Sequence, residues 1–169
     1  MPVADVPGLR PTSERIRETL FNWLAPAIEG SRCLDLFAGT GALGLEALSR
    51  GAASVVFVEQ SPEAAGLLRE SIDMLAAEGA SLFETDALEY LANGKASEFD
   101  IVFLDPPYAA DLNEELCRLL AERGWLASGA HVYLEQDRDL EPPRLPAGWQ
   151  RQKDKTSGNV RYSLMRSAS

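Results

Sequence analysis

Histidine occurs once and cysteine twice in the 169 residues, too few and too scattered for a zinc cluster or a redox pair. Cys33 and Cys117 lie far apart, each within an apolar segment, which fits a reducing compartment. Basic charge is scarce as well. Sixteen Lys and Arg stand against 26 Asp and Glu, for a net charge of −10, and this opposes tight nonspecific binding to a phosphate backbone. No apolar run approaches the ~18 residues that span a membrane. The start, Met1 to Gly8, lacks the basic run and apolar core of a secretory signal. Repeats, low-complexity segments and linkers rich in Gly, Pro or Ser are missing too. The expectation is a cytoplasmic protein, monomeric, without metal or membrane. It consists of one domain over 1–169, an N-terminal segment and helix over 1–30 and a doubly wound core over 31–169.

What the chain does contain is an alternation of two hydrophobic periods. Ile16, Leu20, Phe21 and Leu24 recur at helical spacing within Thr12 to Ala27, with Thr12 or Ser13 as N-cap. Arg32 to Phe37 reads as a buried strand, and Ala42 to Arg50 as a helix stopped at Gly51. Strand and helix then recur: Ser54 to Glu59, Pro62 to Ala77, Ala80 to Thr85, Ala87 to Leu91, Phe99 to Leu104, Asp111 to Arg123 and Ala130 to Glu135. Such alternation implies a parallel sheet with helices on both faces. The Pro142-Pro143 pair breaks it. Two extended runs, Trp149 to Lys155 and Val160 to Arg166, flank Thr156-Ser-Gly-Asn159, a hairpin turn with Gly158 or Asn159 at positive φ, so the sheet ends antiparallel. Residues 151–169 carry Arg151, Lys153, Lys155, Arg161 and Arg166 against Asp154. This basic end could orient an RNA or serve only as a solvated edge hairpin.

Gly39-Thr-Gly-Ala-Leu-Gly44 follows a strand and opens a helix, the context in which G-x-G-x-x-G holds a ligand against unpaired helix N–H groups. A dinucleotide or an adenosyl compound fits equally well. Glu59 ends the second strand, where a carboxylate can accept from both ribose hydroxyls. Asp35 closes the first strand, and a buried acid there needs a cation or backbone N–H groups as partners. Asp86 could accept from an adenine amino group, with Ala87 offering its N–H to a ring nitrogen, or simply cap the next helix. His131 falls in a strand and reads as a core residue.

Asp105-Pro106-Pro107-Tyr108 ends the fourth strand, across the switch point from the glycine loop. An exocyclic amine on a base is a poor nucleophile because its lone pair is delocalised into the ring. Two acceptors, the Asp105 carboxylate and the Pro106 carbonyl, would hold it nearer to tetrahedral geometry. The prolines fix φ and remove competing N–H donors, and Tyr108 would stack on an extruded base. A proline-stiffened turn with Tyr108 over the core edge is the bland alternative.

Together, Arg10-Pro-Thr-Ser-Glu-Arg-Ile-Arg-Glu-Thr-Leu-Phe-Asn-Trp-Leu24, Asp35 to Gly51 and Asp105 to Tyr108 closely resemble the RsmD family, bacterial methyltransferases of small-subunit ribosomal RNA. The resemblance spans nearly the whole chain. It implies a Rossmann-like class I fold of seven strands and S-adenosyl-L-methionine as cofactor, with S-adenosyl-L-homocysteine as product. The implied reaction is methylation of the 2-amino group of one guanine in 16S rRNA, on the small ribosomal subunit or an assembly intermediate that includes its proteins. It also implies Asp35, Phe37, Ala38, Gly39, Thr40, Gly41, Glu59, Asp86 and Ala87 at the cofactor, and Asp105, Pro106, Pro107 and Tyr108 at the base. Family members carry a glycine- and arginine-rich arm before the segment matching Pro2-Val3, and this sequence departs from them there, so the resemblance implies phosphate contacts beyond those of this acidic chain. Three rivals are an adenine amino-methyltransferase on DNA or RNA, a nicotinamide-dependent oxidoreductase, and a noncatalytic assembly adaptor binding through Ile16, Leu20 and Trp23. The oxidoreductase gives Asp105 to Tyr108 no task.

Overall fold

The computed structural model describes residues 14–106 and 112–168. The alternation resolves into α1 (Glu14–Ile28), β1 (Arg32–Asp35), α2 (Ala42–Ser49), β2 (Ser54–Val58), α3 (Pro62–Met74), β3 (Ala80–Phe83), α4 (Ala87–Asn93), β4 (Phe99–Leu104), α5 (Leu112–Glu122), β5 (Leu126–Asp137), β6 (Gln150–Ser157) and β7 (Val160–Arg166). All seven strands join one sheet in the order β3-β2-β1-β4-β5-β7-β6. β1 to β5 run parallel, and β7 pairs antiparallel with both β5 and β6. The order reverses between β1 and β4, so their carboxyl ends border the crevice where ligands bind in open α/β sheets.

Burial follows the helical stripes. Ile16, Leu20, Phe21 and Leu24 of α1, together with Leu43, Leu45 and Ala47 of α2 and Leu68 of α3, pack on one face of the sheet against Cys33, Val55, Phe57, Ile101, Phe103, Tyr133 and Leu164. Ala87 and Leu91 of α4 and Leu116, Cys117 and Leu120 of α5 cover the other face, against Leu34, Val58, Val102, Leu104, Val132 and Leu134. Trp125 is fully buried among Phe99 and Tyr90 and donates its indole N–H to the Leu91 carbonyl. Residues two apart in a strand share a face, which is why Cys33 and Leu34 enter different cores. Trp23 stacks on Tyr162 of β7, so Ile16, Leu20 and Trp23 are engaged in packing within the chain.

Gly44 permits α2 to lie close on β2. A Cβ there would stand 2.2 Å from Phe57 Cε1 and 2.9 Å from Val55 Cγ1, and neither ring nor strand can retreat from a full core. Gly44→Ala is therefore expected to cost about 1–3 kcal/mol by overpacking, read as a lower midpoint in urea with unchanged slope.

Two expectations, on His131 and on the start of β5, need amendment, and the hairpin turn is as foreseen. His131 is half-buried rather than a core residue. It lines a cleft with Ser31, Asp100 and Arg166, on the half of β5 away from the strand's carboxyl end. Burial, with Arg166 nearby, pushes its pKa down. β5 begins at Leu126, earlier than the apolar pattern indicates, because Phe99 of β4 pairs with Leu126. Of the two candidate turn residues, Gly158 takes the positive φ, +57°, within a tight turn between the paired Ser157 and Val160.

Candidate active site

The glycine loop is built on two buried carboxylates. Asp35 is 2% exposed, and its Oδ2 accepts the N–H of Gly44 at 3.2 Å, tying the first turn of α2 to the end of β1. The Phe37 N–H also stabilises its charge. Beyond Asp35 the chain straddles both neighbours of β1: Leu36 N–H bonds the Phe103 carbonyl of β4, and Ala38 N–H bonds the Val58 carbonyl of β2. Gly39 and Gly41 then adopt φ of +56° and +85°, a region costly for residues with a Cβ. Gly41 N–H closes a turn onto the Ala38 carbonyl.

Glu59, just past β2, supplies the second carboxylate. Its Oε1 accepts Gly39 N–H at 2.7 Å and its Oε2 accepts Ser61 N–H at 2.8 Å. One residue therefore locks the loop and the entry to α3, which Ser61 caps through Ala64 N–H. Each oxygen has a second acceptor site, so the pair of ribose hydroxyls expected from the sequence remains chemically compatible. Ser61 is a site residue that the sequence reading missed: it meets Glu59 through its backbone N–H, which side-chain type does not signal.

Burial pushes the Asp35 carboxyl up to about 7; the Gly44 hydrogen bond opposes this, the Glu59 charge adds to it, and the Phe37 N–H opposes it again. Such an acid favours a cationic partner. Ala38 and Gly39 are buried at the loop, with Phe37 and Thr40 half-buried on either side of them. Asp86 caps α4, accepting Glu89 N–H at 3.1 Å on Oδ2. That is the capping role foreseen for it, and Oδ1 is left for another donor. Ala87 is buried in the first turn of α4.

Asp105, half-buried, and Pro106, buried, follow β4 directly. Phe103 pairs with Asp35, so the Asp105 segment borders the Asp35 loop across the switch point. Pro107 and Tyr108, like the Arg10 to Ser13 segment with its foreseen cap, lie outside the described residues, as does the foreseen helix start at Asp111. Among the described residues, no group of three or more His, Cys, Asp or Glu could hold a metal ion, and no helix is long and apolar enough to cross a membrane.

A loop with two left-handed glycines on buried acids, set beside an acid-ended fourth strand in this strand order, defines a Rossmann-like class I methyltransferase fold. The chain is similar in fold to the solved structure of an RNA methyltransferase from Salinibacter ruber in complex with S-adenosyl-L-homocysteine, at TM-score 0.71 and 20% identity over 94% of each chain. The family described as "Conserved hypothetical protein 95" matches residues 1–166, and the chain belongs to it, in line with the RsmD resemblance. It is 46% identical over 164 residues to "Ribosomal RNA small subunit methyltransferase D" of Escherichia coli strain K12, covering 97% of this chain and 82% of that protein. It is also similar to the solved structure of yhhF from Escherichia coli, with TM-score 0.92 and 42% identity over 99% of this chain and 91% of that one.

Proposed function

We propose that the protein transfers a methyl group from S-adenosyl-L-methionine to the exocyclic 2-amino group of a guanine in 16S rRNA, on the small ribosomal subunit or an assembly intermediate. The observation that carries this is the convergence of two differently equipped strand ends on one crevice: a carboxylate-locked glycine loop at β1 and an Asp-Pro pair at β4. The relative named for small-subunit ribosomal RNA supports the substrate. We read the whole chain, 1–169, as one methyltransferase domain, because one sheet carries every described strand. It works as a cytoplasmic monomer that meets rRNA and ribosomal proteins.

The residues fit the cofactor. Asp35 would hold the methionine ammonium, Glu59 the ribose hydroxyls, and Asp86 with the Ala87 N–H the adenine; Ala38 to Gly41 let the backbone come close. When bound, the cofactor supplies a sulfonium methyl group that is already electrophilic. The chain's task is then alignment. Asp105 accepts one hydrogen of the target amine and the Pro106 carbonyl the other, and Tyr108 stacks on the base. Such positioning can contribute about 7 kcal/mol or more. The methylated nitrogen afterwards sheds a proton to the Asp105 carboxylate already bonded to it.

Cofactor binding should depend on pH through Asp35. Its folded-state pKa, about 7, lies above the ordinary 3.8. The folded apoprotein therefore holds a proton between these values that the unfolded chain releases, and stability falls as pH rises from about 4 to 7. An ammonium ligand favours the ionised acid and expels that proton. Affinity should then tighten roughly tenfold per unit as pH approaches 7 from below and level off above it. Calorimetry in two buffers of different ionisation enthalpy measures the released proton, and Asp35→Asn should abolish both the release and the pH dependence.

The direct test of function incubates the protein with methyl-labelled cofactor and unmodified small subunits, free rRNA or DNA, followed by nucleoside mass spectrometry. Label in 2-methylguanosine from subunits is the expected result. Label in N6-methyladenosine would transfer the same site to an adenine amino-methyltransferase.

A further inference from the structure

The ends of β4 and β5 gather polar side chains that the reaction described above does not use. Phe103 lies opposite Tyr133 and Leu104 opposite Leu134, so Asp105 comes next to Glu135. Asp105 shares its face with Phe103, and Glu135 shares its face with Tyr133. Glu135 is in turn paired with Tyr162 of β7. The Tyr133 hydroxyl donates to Glu135 Oε2 at 2.8 Å, with the tyrosine wholly buried and the glutamate 5% exposed. The charges of Glu135 and Asp105 both act on the phenol, which places all three groups in one neighbourhood. Asp105 alone of them reaches partly into the open.

A buried carboxylate beside a second carboxylate is costly, and apolar side chains of the same volume would pack the strand end as well. Costly polar groups of this kind gather where a site needs them.

We propose that Tyr133 and Glu135 are positioning residues for Asp105. The phenol hydroxyl fixes the Glu135 carboxylate inside the fold, and this fixed charge holds the neighbouring Asp105 carboxylate outward, toward the target amine. The inference rests on the reading that Asp105 receives that amine. Tyrosine and glutamate alternate with Leu134, so both face Asp105 and neither enters the opposite core.

The test is a set of single-turnover and steady-state measurements on the full chain with the small subunit as substrate. Tyr133→Phe removes one oxygen atom and should lower kcat about tenfold, while KM for the subunit and Kd for the cofactor stay within about twofold. Glu135→Gln keeps an acceptor for the hydroxyl but loses the charge and should also lower kcat alone. Because both act through Asp105, the double variant should lose no more than the weaker single variant, and Tyr133→Phe should add nothing in an Asp105→Asn background. A merely structural role would move KM and cofactor affinity along with kcat. Wild-type kcat in folded Tyr133→Phe, or losses that multiply in the double variant, would overturn the proposal. Should Tyr133→Phe not fold, wild-type kcat in Glu135→Gln would overturn it equally. A wild-type protein that labels no RNA would instead bring down the functional reading itself.

Discussion

Asp105→Ala is expected to lower kcat at least about a hundredfold while cofactor affinity stays within about twofold of the wild type. The reason is where each group sits. The glycine loop and its two buried acids belong to β1 and β2, whereas Asp105 follows β4 and is only half-buried. Removing it leaves the Gly39 and Gly44 hydrogen bonds in place. What goes is the acceptor that holds the delocalised amine near tetrahedral geometry. Asp105→Asn, which retains one acceptor oxygen, should fall between the two. Equilibrium binding and single-turnover rates on one preparation separate the effects, and near-normal turnover in the alanine variant would remove Asp105 from the reaction.

Glu59→Ala carries the second large effect, and it should act on both stability and binding. Two backbone N–H groups, of Gly39 and Ser61, lose a charged acceptor inside the fold. With roughly 1.5–3 kcal/mol for each hydrogen bond to a charged group, a loss of about 3–6 kcal/mol is expected. At about 2–4 °C per kcal/mol for a domain of this size, the thermal midpoint should fall by about 6–24 °C. Cofactor affinity should fall at least about a hundredfold, since the loop opens and the ribose loses its acceptor. Glu59→Gln separates the roles: it keeps one acceptor oxygen, so it should regain part of the stability while binding stays weak. Unchanged affinity in a folded Glu59→Ala protein would exclude Glu59 from the ribose site.

Strands whose burial is decided locally were readable. β4 and β7 match their apolar runs, Phe99 to Leu104 and Val160 to Arg166, to the residue; the parallel strands followed from the alternation and the antiparallel end from the hairpin turn. β5 was read short because Ala127, Ser128 and Gly129 carry no alternation. They become strand only by pairing with distant partners, as where Gly129 N–H bonds the Ala168 carbonyl, and such pairing outweighs local propensity. The placement of Asp35, Glu59 and Asp105 at strand ends beside the crevice was legible, because position along a strand follows from its apolar run. Tyr133 and Glu135 were not. Their significance depends on the register between β4 and β5, which no local pattern encodes. Asp86 stood open between cap and ligand, and the hydrogen bond to Glu89 settles the cap while leaving the ligand to experiment.

The hairpin of β6 and β7 bears on how the enzyme comes into being. β7, the last strand in sequence, is not an edge: it lies between β5 and β6 and covers β5 from His131 to Asp137. During synthesis, β5 therefore waits with one side bare until residues 160–166 have emerged, since domains fold as their segments leave the ribosome. Tyr162 arrives in the same stretch, bringing the surface on which Trp23 of α1 stacks. α1 is thus seated by β7, a strand made more than a hundred residues after it, and this part of the sheet closes only once both have been made.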